Sequence, residues 1–197
     1  MSTVMAPEEK AVSDWPYQNE RAIIVPYVPK FTSYKFPEEF LAGLYMQTKK
    51  DGLLRRTFPG TENYSMNWFI SYFYARSMII PMAKPNQVTG YAWLYDIEGE
   101  EKYRKASVGV CFFKEFWGSE LIEELARLGI GWFFKEAGVY TMYGTIAGWN
   151  RLSMRFGRRL GFEPCGCLPR FFLNPDGSMS DNHIVVLKRE DFIGKGV

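Results

Sequence analysis

Residues 119–136 carry the strongest helical pattern in the chain and constrain the fold more than any other segment. Leu121, Ile122, Leu125, Leu128, Trp132 and Phe133 form one apolar stripe at helical spacing. Ser119 stands where a capping residue is expected, and Glu120 suits the positive end of the helix. Gly129 and Gly131 each cost ~1 kcal/mol inside a helix, so their presence predicts close packing against a neighbouring strand. Strand-like segments at 106–113 and 139–147 flank this helix. Helices alternating with strands predict an α/β fold: a mixed central sheet of about six to seven strands with about four flanking helices.

The rest of the chain fits that frame. Residues 1–20 are polar, with Pro7 and Pro16 and no period, and read as an arm outside a single domain spanning 21–197. A short apolar strand at 22–28 precedes helices at 37–50 and 62–73. Two strands at 77–82 and 87–97 meet at the turn Lys84-Pro85-Asn86-Gln87, and the run 98–105 is a solvated hairpin tip. After the strand at 139–147, Asn150 caps a helix to Leu160 with Leu152, Phe156 and Leu160 on its apolar side. Gly161 closes that helix in the left-handed conformation. Strands near 165–173 and 183–188 finish the chain around Asn174-Pro175-Asp176-Gly177.

Composition excludes several function classes. Hydrophobic residues make up 47% and charged residues 23%, an ordinary globular balance that argues against disorder. A formal charge of +2 does not imply a nucleic-acid partner. No apolar run reaches the ~18 to 20 residues a bilayer requires, and the first residues lack the order of a signal peptide. The expected compartment is therefore the cytoplasm. Cys111, Cys165, Cys167 and His183 do not make an ordinary zinc set, so no metal is expected; Cys165-x-Cys167 reads as two buried thiols on one strand face. His183 reads as structural. Aromatic residues reach 17%, more than one core is expected to hide, and the surplus predicts protein partners through an aromatic surface and the arm.

One motif is more specific than the element order. Asn150-x-x-Ser153-x-x-Phe156, followed by Arg159-Leu160-Gly161-Phe162, stands directly after a predicted strand. It resembles the Asn-x-x-Ser/Ala and Leu-Gly-Phe segments of the GNAT N-acetyltransferase family, over about residues 22–192. The resemblance implies that the strand at 106–113 splays from the strand at 139–147 and that acyl-CoA lies between them. It also implies a pyrophosphate resting on backbone N–H groups at the start of the helix at 119–136. Phe112, Gly118, Ser119, Asn150 and Ser153 are the residues it assigns to acyl-CoA, should acyl-CoA bind.

The family's glycine-rich turn is degenerate here. In Glu115-Phe116-Trp117-Gly118-Ser119-Glu120 only Gly118 matches, with Glu115 and Glu120 in place of a polar and a small residue. Two carboxylates within ~5 Å of a pyrophosphate would oppose binding by a few kcal/mol. The family's tyrosine acid is replaced by Gly157. General-base candidates are Asp96, Glu98 and Glu115, near the strand ends beside the expected cleft. Arg151, Arg155, Arg158 and Arg159 crowd one helix, where they would form a solvated face or meet a phosphate.

Two functional readings follow. The acidic loop, aromatic surplus and arm favour a non-catalytic scaffold without cofactor, and the sequence is also similar to GNAT-like proteins of tailed bacteriophages, which implies a virion component. The alternative is an acetyl-CoA-dependent N-acetyltransferase acting on a primary amine. Plugging of the cleft by Phe116 or Trp117 would favour the scaffold.

Overall fold

The computed structural model describes residues 20–27, 38–59, 64–73, 76–84, 87–100, 103–174 and 176–193. The arm expected at 1–20 lies, apart from Glu20, outside the described residues, as do Pro37, Glu62, the Pro85-Asn86 turn and the centre of the 98–105 tip. Among the described residues eight strands form one sheet: β1 (Ala22–Tyr27), β2 (Met78–Ala83), β3 (Gln87–Val88), β4 (Gly90–Glu98), β5 (Lys105–Phe112), β6 (Thr141–Ala147), β7 (Glu163–Leu173) and β8 (Met179–Lys188). The order across the sheet is β1-β2-β4-β5-β6-β8-β7, with β3 paired to β2. Among the described residues six helices accompany it: α1 (Glu38–Lys50), α2 (Leu54–Thr57), α3 (Met66–Phe73), α4 (Glu120–Lys135), α5 (Arg151–Leu160) and α6 (Arg189–Ile193).

The sequence therefore predicts the fold class correctly and undercounts its elements. The two short helices α2 and α6 carry too few residues to show a period. The strand expected at 87–97 divides at Thr89, whose N–H and hydroxyl both donate to Pro81 O (3.0 and 2.8 Å). The helix expected from residue 62 has its described start at Met66.

All pairings are antiparallel except β5 with β6, the two strands joined through α4. A parallel pair needs such a crossover, which explains why one strong amphipathic helix sits between them. Gly129 lets α4 lie on β2: a Cβ there would come 2.4 Å from Ile79 Cδ1. Gly131 has no comparable crowding, its nearest atom being 4.0 Å away on Phe192. Asn150 caps α5 by accepting from Ser153 N–H, and Gly161 ends it at φ 97°.

The sheet carries a core on each face. On one, Leu125, Ile130, Phe133 and Phe134 of α4 pack against Ile24, Leu94, Met142 and Leu187. On the other, α1 to α3 bring Leu44, Phe69 and Phe73 onto Ile80, Tyr91 and Trp93. This second core holds most of the aromatic surplus: Phe58 touches Trp68, Phe69, Tyr72, Phe73 and Trp93 at ring separations of 5.2 to 6.0 Å. Edge-to-face contacts dominate it, the geometry that the ring quadrupole favours.

Three local expectations are corrected. Ser119 occupies the capping position of α4, but its hydroxyl donates to Phe116 O (2.8 Å) and makes no cap. Leu152 is exposed, because α5 buries only its far side through Leu160. Cys165 and Cys167 are both exposed. They lie on β7, the last strand of the sheet, exposed at every position but Phe172.

Candidate functional site

The parallel pair supplies the opening. Lys105, Ala106 and Ser107 of β5 pair with Thr141, Met142 and Tyr143 of β6, and there the ladder stops. Beyond it the two strands part. Phe113 N–H donates to Thr89 O on the β4 side, so by alternation Val108, Val110 and Phe112 turn their backbone N–H and C=O groups toward the gap. An extended ligand bearing amides finds a row of backbone partners on that side.

Two cavities meet at the gap. One, about 720 Å³, is lined by Val110, Phe112, Trp117, Gly118, Ser119 and Ile122 on one side, and by α5 on the other. The second, about 620 Å³, lies where the strands part and reaches Tyr95, Asp96, Ser107, Tyr143 and Asn182. Val110, Phe112, Asn150, Ser153 and Phe156 line both. All five residues tied by sequence to acyl-CoA thus surround the first cavity: Phe112, Gly118, Ser119, Asn150 and Ser153.

The mouth of the first cavity is a helix start. A 3₁₀ turn, Lys114–Phe116, leads into Gly118, whose φ of 80° is the conformation glycine favours. A Cβ on Gly118 would meet nothing within 4 Å, so the space above it is open. Glu120 and Leu121 open α4, where N–H groups lack intrahelical acceptors. Arg155, Arg158 and Arg159 line the same cavity from α5. Glu115 and Glu120 are exposed and belong to neither lining. The first cavity is thus lined by three arginines of α5 and by neither of these carboxylates.

Trp117 is a feature that sequence reasoning flagged only as a possible plug. Its indole Nε1 donates to Phe112 O (2.8 Å), a carbonyl on the open side of β5. The ring is 41% exposed and stands at the wall of the cavity without filling it. Phe116 is half-buried and packs against both cores. The cleft is open.

At the apex, Tyr95, Ser107 and Tyr143 stand opposite one another on β4, β5 and β6 and share one face of the sheet. Burial pushes the Tyr95 hydroxyl pKa up, and its hydrogen bond with Ser107 pulls in the opposite direction. Asp96 follows at a bulge between Tyr95 and Glu98, with φ of 48°, a strained conformation for a non-glycine residue. Of the three general-base candidates only Asp96 lines a cavity. Glu98 is turned to Lys105 (2.9 Å) at the surface, and Glu115 lies outside. Gly157 lines the second cavity, so the position of the family tyrosine is at the site although its hydroxyl is missing. His183 is half-buried opposite Ile146 and Cys167 and lines neither cavity. Cys111 borders the first cavity as a buried thiol held up to about 11 by desolvation, which makes it a poor nucleophile.

A mixed sheet parted between two parallel strands, with a helix start at the mouth of the gap, defines the GNAT class of fold. The sequence bears this out independently: residues 38–163 match the family model described as Acetyltransferase (GNAT) domain. The chain belongs to that family. Among solved structures, it resembles the GNAT-family acetyltransferase of Bacillus anthracis (TM-score 0.66, 15% identity, 88% of this chain and 98% of that one). It resembles equally the Salmonella typhimurium acetyl transferase that modifies the N-terminal serine of ribosomal protein L7/L12 (0.68, 14%, 86% and 96%). A third neighbour is Salmonella typhimurium yncA, solved with its cofactor acetyl-CoA (0.62, 17%, 85% and 93%). At these identities the likeness shows the fold. A comparison with curated proteins finds no match. Nothing in the comparisons supports the bacteriophage resemblance, and no helix among the described residues is long and apolar enough to cross a membrane.

Proposed function

We propose that this protein is an acetyl-CoA-dependent N-acetyltransferase acting on a primary amine. One observation carries the reading: the β5–β6 ladder ends at Ser107–Tyr143 and opens a groove continuous with the Gly118 turn and the start of α4. The residues present fit the cofactor. Gly118 leaves room for close approach, the α4 start offers N–H groups to a diphosphate, and Arg155, Arg158 and Arg159 offset its charge. Val108, Val110 and Phe112 offer backbone partners to an amide-bearing arm.

Acetyl-CoA supplies an activated acetyl group. The chain's own groups do the rest. Asp96 receives a proton from the ammonium form of the acceptor, since it is the carboxylate among the residues lining the second cavity. Backbone N–H groups of β5 facing the gap stabilise negative charge that develops on a carbonyl oxygen. Phe156 and Phe112, 6.0 Å apart and edge to face, keep water out of the wall between the two cavities.

Titration of acetyl-CoA into the protein tests this, together with thiol release in the presence of simple amines. We expect a dissociation constant in the micromolar range and acceptor-dependent thiol release. A flat titration would restore the scaffold reading, for which the acidic residues 115 and 120 remain the supporting observation.

A further inference from the structure

We infer that Asp51 is a positioning residue for the mouth of the groove: its carboxylate, at the end of α1, holds the Lys114–Phe116 turn that leads into Gly118. The inference rests on the acetyltransferase reading for the identity of the cofactor; the contact itself rests on the fold. Asp51 Oδ2 accepts from the Lys114 backbone N–H at 2.9 Å, across 63 positions of sequence. Lys114 opens the turn, where an N–H lacks a partner within the turn, and Phe113 before it supplies no side-chain cap. A carboxylate from another element fills that place, through a charge-assisted bond of the stronger kind.

The carboxylate stands where α1 itself gains little from it. The C-terminal end of a helix is its negative end and disfavours an acid. What Asp51 gains lies outside the helix, and both its backbone and its side chain are fixed for that contact. Gly52 N–H donates to Lys49 O and Leu53 N–H to Thr48 O (3.0 and 2.9 Å), a paired closure that uses the left-handed conformation of Gly52 (φ 65°). Leu53 is buried beside it. Gln47 Nε2 donates to Asp51 Oδ1 at 3.1 Å, which leaves Oδ2 for Lys114.

The turn passes this placement on. Trp117 N–H donates to Lys114 O (3.1 Å), and Ser119 N–H donates to Phe116 O (3.2 Å). These bonds run from the Asp51 contact to the first residues of α4. Gly118 and Ser119 line the first cavity, whereas Asp51 and Lys114 line neither cavity. Asp51 therefore acts on a ligand through the turn, without touching it. A turn released at Lys114 would have to be ordered again on binding, and that ordering costs affinity.

The test pairs hydrogen exchange of the free protein with calorimetric titration of acetyl-CoA, on the wild type, Asp51→Ala and Asp51→Asn. Exchange at the amides of residues 114–119 is expected to speed up about tenfold in Asp51→Ala, with the amides of β4 unchanged. Acetyl-CoA should bind Asp51→Ala about tenfold more weakly, a loss that appears in the KM for acetyl-CoA and not in kcat. Asp51→Asn keeps an acceptor oxygen and should stay within about threefold of the wild type. Unaltered exchange in Asp51→Ala overturns the inference. So does tighter binding by both variants, which would mean that the carboxylate merely repels a diphosphate. Should Asp51→Ala fail to fold, Gln47→Ala is expected to speed exchange in the turn about threefold by releasing Oδ1, and no change there counts against the proposal. If the wild-type protein binds no acetyl-CoA, the acetyltransferase reading fails, and the exchange arm alone decides whether Asp51 holds the turn.

Discussion

Replacing Trp117 with phenylalanine should tighten acetyl-CoA binding. The Trp117 indole N–H donates to Phe112 O at 2.8 Å, and that carbonyl lies on the side of β5 that faces the open groove. An amide-bearing cofactor arm along β5 would compete for the same oxygen. A neutral hydrogen bond of this kind contributes about 1 kcal/mol net, and the free protein must give it up when the carbonyl changes partner. Phenylalanine keeps an aromatic ring against the wall but has no donor. The energy lost by the free protein then reappears as affinity, a gain of about fivefold. Calorimetric titration of acetyl-CoA into both proteins reads the gain, and urea unfolding should show a matching loss of about 1 kcal/mol in the free variant. Unchanged or weaker binding, with that stability loss present, would refute the competition and place Trp117 among the groups that hold the cofactor.

Other outcomes follow from the same geometry. Asp96→Asn should lower kcat/KM by about 100-fold or more while leaving acetyl-CoA affinity intact, measured by steady-state thiol release and titration. Arg155→Gln with Arg158→Gln should weaken acetyl-CoA about tenfold at low ionic strength, and less in about 0.5 M salt, because exposed charges are screened. Cys111 gives a pH prediction. Burial raises its thiol pKa from 9.0 to about 11, so the unfolded chain loses this proton first. Its contribution is fully present below pH 9 and is lost as pH rises toward 11, by about 3 kcal/mol. Urea unfolding at pH 8 and about pH 10.5 should show a shallower alkaline loss in Cys111→Val than in the wild type.

What was legible in the sequence was local. The Asn150 cap, the left-handed Gly161 and the close packing at Gly129 each depend on a few neighbours, and each is found as expected. Burial was less legible, because it depends on what lies across a sheet. Period alone put Cys165 and Cys167 on one face, but nothing in a period says that β7 is a terminal strand whose residues stay exposed. The aromatic surplus is accounted for in part by the packing. α1 to α3 build a second core on the opposite face of the sheet around Phe58, which no local pattern announces. Asp51 left no mark in the sequence as a partner of Lys114, since that bond joins elements 63 positions apart.

The acidic loop shows how the two kinds of information combine. Glu120 and Glu123 open α4, where negative charge favours the helix itself. Glu123 also bridges Arg127 (2.9 Å) and Arg159 (3.5 Å), while Arg127 donates to Arg159 O (2.8 Å). Glu123 thus helps to fix α5 beside α4, and α5 carries the arginines that line the groove. Glu123, a negative residue of the first turn, takes part through those ion pairs in placing the positive residues that would receive a diphosphate. Removing Glu123 should therefore weaken acetyl-CoA binding although it removes a like charge. A Glu123→Gln variant that binds more tightly would mean that simple repulsion governs the groove.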